Sequence, residues 1–110
     1  MGINSTEVSY GFGQFGSAFT DTAANTITAP EELAIVAITF LEDTTFNTGA
    51  SGLVPADSQN FPSSDGASTD IDADGGVAVD GETFPKGVTI YGRWTGFQLA
   101  TGGVIAYVGI

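Results

Sequence analysis

Apolar residues along this chain recur at alternate positions in short runs, and Gly, Thr, Ser, Asn and Pro bound each run. No window carries the i, i+3, i+4, i+7 stripe of an amphipathic helix. The pattern predicts an all-β fold, a single-domain β-sandwich or small jelly-roll-like barrel spanning residues 1–110. The first expected strand covers residues 7–12, with Val8, Tyr10 and Phe12 on one face. Residues 17–20 and 25–29 read as short strands, the latter ended by Pro30. Pro30-Glu31-Glu32 suits a turn with Pro at its first central position. Residues 33–42 make the strongest strand. Strict alternation puts Leu33, Ile35, Ala37, Thr39 and Leu41 on one face and Ala34, Val36, Ile38 and Phe40 on the other. Both faces are largely apolar, so this strand is expected to be central and covered on both sides. Thr44-Thr45-Phe46 extends the sheet after a bend. Later strands are expected at 88–92, 95–99 and 104–108, with Thr101-Gly102-Gly103 as the hairpin turn before the last.

Between residues 48 and 81 the pattern breaks. Gly, Ser, Asp, Pro and Ala fill the segment, and apolar residues thin out to a short Val77-Ala78-Val79 edge strand. It reads as a long acidic loop inserted in the β domain, a length that implies a function, a bound ion or an arm reaching a neighbour. Asp70-Ile71-Asp72-Ala73-Asp74-Gly75 matches the first half of a calcium loop, in which alternate carboxylates converge on a hard cation. The second half fails: the twelfth position is Gly81, and Glu82 comes one residue late. That excludes an EF-hand. It leaves Asp70, Asp72 and Asp74 as candidate ligands of a non-helical calcium loop, against the simpler reading of a solvated acidic loop.

Composition narrows the function. Thirteen acidic residues stand against Lys86 and Arg93, for a formal net charge of −11. Such a chain is not expected to bind nucleic acid or an anionic membrane, because phosphate contact needs clustered Lys and Arg. Absence of His and Cys removes imidazole and thiolate chemistry and any disulfide. No run reaches the eighteen apolar residues of a spanning helix, and no signal peptide is expected. The acidic pairs Glu31-Glu32 and Glu42-Asp43 cannot each act alone as a glycosidase dyad, since strand neighbours point to opposite faces. With no nucleophile elbow or phosphate loop either, the chain is expected to be non-enzymatic and without cofactor.

Only 14% of residues are charged, against about 25% in an average soluble domain. A surface so poor in charge is expected to be covered in part by another subunit, so a homo-oligomer is expected. Tyr91, Arg93, Trp94 and Tyr107 are the interface candidates. The alternative for Arg93 is an ion pair with Glu82 or Glu42, and for Trp94 a place in the core.

Three blocks carry a resemblance: Ala37 to Phe46 (A-I-T-F-L-E-D-T-T-F), Phe84 to Trp94 (F-P-K-G-V-T-I-Y-G-R-W) and Gly103 to Tyr107 (G-V-I-A-Y). From Ile27 onward the chain resembles small structural proteins of tailed bacteriophages, especially those of marine and cyanobacterial phages. The resemblance covers about two thirds of the chain, and 48–81 has no counterpart in it. It implies a virion component with no catalytic residues, made in the host cytoplasm and placed on the capsid surface. A capsid decoration or cement protein of this kind sits at capsomer junctions, commonly as a trimer, against the major capsid protein or another virion protein. Two other classes fit the residues. One is a carbohydrate-binding module with Trp94, Tyr91 and Tyr107 as a stacking platform. The other is a tail, fibre or filament subunit joined through exposed strand edges.

Overall fold

The computed structural model describes residues 15–23, 25–56, 61–64, 77–79 and 81–110. Among these residues seven strands form one antiparallel sheet, with a 3-10 turn at Gly49–Ser51 between the fourth and fifth: β1 Ser17–Thr20, β2 Thr26–Thr28, β3 Ala34–Phe40, β4 Thr45–Phe46, β5 Leu53–Pro55, β6 Thr89–Thr101 and β7 Val104–Gly109. The order is β1-β7-β3-β6-β2, with β4 and β5 also paired to β6. β-branched and aromatic content explains the strands, since such side chains pack on a pleated, half-buried surface.

The thirteen-residue β6 organises the rest. Its first half pairs with β3, and residues 96–98 pair with β2, so β2 and β3 follow one another along the same edge. β4 and β5 also pair with its second half. The strand expected to break around Arg93 and Trp94 therefore runs straight through them. Gly102, at a φ of +97°, closes the turn into β7, a backbone geometry that favours glycine. A side chain there would also meet the Asp43 carbonyl at 2.7 Å.

The sheet curls into a half-barrel, and its concave side holds the core: Ile35, Ile38, Phe40, Phe46, Leu53, Trp94, Phe97, Leu99, Val104, Ala106 and Val108. Phe40 stacks on Phe84 at 4.9 Å, and Phe46 meets both rings and Phe97 edge-on. These contacts dock residues 81–88 under β4, with Thr44 and Phe84 exchanging backbone hydrogen bonds.

Four expectations need correction. Strict alternation in β3 fails because the ladder shifts between Ile35 and Ala37 on both sides. Relative to β7 the extra residue is Val36, and it turns Ile35 onto the same concave side as Ile38, each fully buried. The other face of β3 is therefore not a second core. Within 48–81, β5 is a strand, bonded to β6 and held by Ser64, where a loop was expected. Val77–Val79 is not a strand, although the Val79 N–H donates to the Ser63 carbonyl. In the turn before β3, Pro30 takes the first position: Leu33 N–H donates to its carbonyl, and Glu32 adopts a φ of +69°. The strand expected at 7–12 lies outside the described residues.

Candidate interaction surface

Side chains of residues directly opposite one another in an antiparallel ladder share a face. On the convex side of the sheet this produces two rows. The first crosses β1, β7, β3 and β6 as Ser17, Tyr107, Ala37 and Tyr91. The second runs parallel as Phe19, Ile105, Thr39 and Thr89. Leu41 continues β3 beyond the second row, its N–H bonded to the Gly103 carbonyl at 2.9 Å. Neither row contains a charged residue. Phe19 is 59% exposed, Tyr91 66% and Leu41 41%. Thr39 and Thr89 hydroxyls bond each other at 2.8 Å, so their polarity is partly spent within the sheet.

Acidic groups gather at one end of this face. A Cβ at Gly103 would lie 2.8 Å from a Glu42 carboxylate oxygen and 3.3 Å from the Asp21 Cβ, which places both acids at the β6–β7 turn. Asp43 stands beside them and accepts the Lys86 backbone N–H at 2.9 Å. An apolar centre with charge confined to its rim is the anatomy of a protein contact surface. Such a face binds another surface by excluding water from aromatic and aliphatic groups.

The four interface candidates divide. Tyr91 and Tyr107 are brought together on the convex face, on either side of Ala37. Trp94 is not with them: it is fully buried on the concave side, and its indole N–H donates to the Pro62 carbonyl at 2.9 Å. The stacking platform of Trp94, Tyr91 and Tyr107 is therefore not assembled. Tyr91 and Trp94 are three residues apart on β6, so alternation along that strand turns them to opposite faces. Arg93 donates from Nη1 to the Ile110 carbonyl oxygen, the contact found in place of an ion pair with Glu82 or Glu42. Asp70, Asp72 and Asp74 lie outside the described residues.

Phe19, Ile105 and Leu41 were not singled out from sequence. The alternation of Ala18 and Phe19 shows that they face opposite ways, but not which way is inward. The larger Phe19 is the outward one, because Ala18 sits opposite the buried Ala106.

No protein-family model, curated protein or solved structure matches the chain.

Proposed function

We propose that this chain is a non-enzymatic virion structural protein, most simply a decoration or cement protein on a capsid surface. The observation that carries the reading is the pair of uncharged rows on the convex face, with Phe19 and Tyr91 exposed in them and Leu41 exposed beside them, in a chain of net charge −11. Burial of such a face supplies about 25 cal/mol per Å² of apolar area, less the cost of association. The acids at its rim favour a partner with Lys or Arg opposite Asp21, Glu42 and Asp43. The resemblance of three blocks to phage structural proteins supports the same reading. So does the placement of Tyr91 and Tyr107, which lie in two of those blocks and meet on that face. On this reading the half-barrel is the main part of a small jelly-roll-like barrel.

The test is a copy-number survey of purified particles from the source, paired with co-sedimentation of the chain with particles stripped of it. The expected result is stoichiometric presence and saturable rebinding, lost in the double variant Phe19→Asp/Tyr91→Asp. Absence of the chain from the particles overturns the proposal.

A further inference from the structure

The convex face carries opposite charges at its two ends. Tyr91 and Arg93 are two residues apart on β6, so alternation puts both on that face. Gly92 and Trp94 take the other side, where a Cβ on Gly92 would meet the Trp94 ring. Arg93 reaches over the start of β3 and donates from Nη1 to the carbonyl oxygen of Ile110, the residue that follows β7. Glu42 and Asp21 gather at Gly103, the residue that precedes β7, with Asp43 beside them. The guanidinium and the carboxylates therefore mark the two ends of one strand, seven residue steps or about 23 Å apart. Lys86 belongs to the acid end, where its backbone N–H donates to Asp43. It and Arg93 are the only cations of the chain. The two uncharged rows cross the sheet between these ends.

We propose that a second copy of this chain covers the convex face, packed face to face about a two-fold axis that runs across the strands, parallel to the rows. That axis reverses strand direction and so exchanges the two ends of β7. Arg93 of the second copy then lies over Asp21 and Glu42 of the first, and Arg93 of the first over the same acids of the second. Packed faces stand about 10 Å apart, within the combined reach of an Arg and a carboxylate side chain. Phe19, Ile105 and Tyr91 meet their counterparts near the axis, where water is excluded between the two ionic ends. A two-fold axis along the strands would instead set acids on acids, and like charges in a contact disfavour it. The contact uses the same patch on both copies, so it closes as a dimer and does not propagate. The inference stands apart from the virion reading and uses none of its premises.

Charge reversal, read by sedimentation equilibrium, tests the pairing. Arg93→Glu is expected to raise the dimer Kd about tenfold or more, because both symmetric contacts become repulsive. Asp21→Arg/Glu42→Arg is expected to raise it by a similar factor, although it makes the net charge less negative. Control by overall repulsion alone predicts a tighter dimer for that variant. It leaves the contact of Arg93 with Ile110 untouched, so its result stands even if Arg93→Glu fails to fold. Mixing the two folded variants corrects both contacts at once. Each reversed group then meets its complement, and the native Arg93 of one chain meets the native acids of the other. The mixture is expected to form a heterodimer with a Kd within about threefold of the parent dimer. A parent chain monomeric at about 1 mM, a tighter dimer in Asp21→Arg/Glu42→Arg, or a mixture of folded variants no tighter than its components would each overturn the proposal.

Discussion

Trp94 shows what one residue's letter leaves open. An Arg-Trp pair beside Tyr91 fits a binding platform and a core anchor equally well, and alternation alone cannot choose between them. The choice is made by Gly92. A Cβ there would stand 2.8 Å from the Trp94 ring, so glycine two residues upstream lets the indole lie flat along its own strand. Gly92→Ala is therefore expected to destabilise the fold by about 1–3 kcal/mol through overpacking. Urea denaturation followed by the fluorescence of this single Trp measures it, and a midpoint unchanged from the parent would contradict the packing. Ser64 is a second residue whose role no pattern signals. Its hydroxyl donates to the Gly49 carbonyl at 2.6 Å and accepts the buried Leu53 N–H at 2.9 Å. Ser64→Ala leaves that donor unpaired and is expected to cost about 2 kcal/mol. The same denaturation experiment checks it, and a loss below about 0.5 kcal/mol would show that water replaces the hydroxyl. A serine in an acidic Gly/Ser/Asp-rich stretch reads as loop. Its hydrogen bonds make it the clasp of β5.

Elements were legible where period-2 alternation is long and bounded by turn residues. β1, β3, the second half of β6 and β7 lie where alternation put them, within a residue or two. Gly102 marked the β6–β7 hairpin because a two-residue connection needs its backbone geometry. Faces were less legible than strands. A bulge adds one residue without changing composition, and beyond it every side chain changes side. The apolar run 33–38 hides the shift, since each position is acceptable on either face. The structure makes a prediction that unbroken alternation does not. Ile35→Ala and Ile38→Ala are both expected to cost about 2–4 kcal/mol, because both enlarge one concave core. Thr39→Ala, on the convex side, removes one cross-strand hydroxyl contact and is expected to cost about 0.5–1 kcal/mol. Without the bulge, Ile35 would group with Thr39 rather than with Ile38. Denaturation midpoints of the three variants decide which grouping holds. β5 escaped the pattern for a different reason: three residues are too few to alternate, and their strand character comes from pairing with β6.

At the scale of the molecule, two opposed features set behaviour. Net charge of −11 repels like copies at long range, while burial of the exposed apolar groups of the convex face would favour contact. Screening falls to about 8 Å at physiological ionic strength, so the repulsion is adjustable and the apolar attraction is not. Self-association is therefore expected to strengthen from about 10 mM to about 500 mM NaCl, over which the Debye length shortens severalfold. A charge-driven contact would weaken over the same range. Sedimentation velocity across that series measures the sign. Phe19→Asp/Tyr91→Asp places two carboxylates in the middle of the face and should abolish the association at every salt concentration. Both positions are more than half exposed, so the fold should lose little stability. A variant that still associates with rising salt would move the contact away from the convex face, to a strand edge where backbone pairing tolerates side-chain charge. Loss of association with the fold intact would locate the driving force in the two uncharged rows. The same variant then becomes the reagent for particle rebinding, because the proposed function places the partner contact on that same surface.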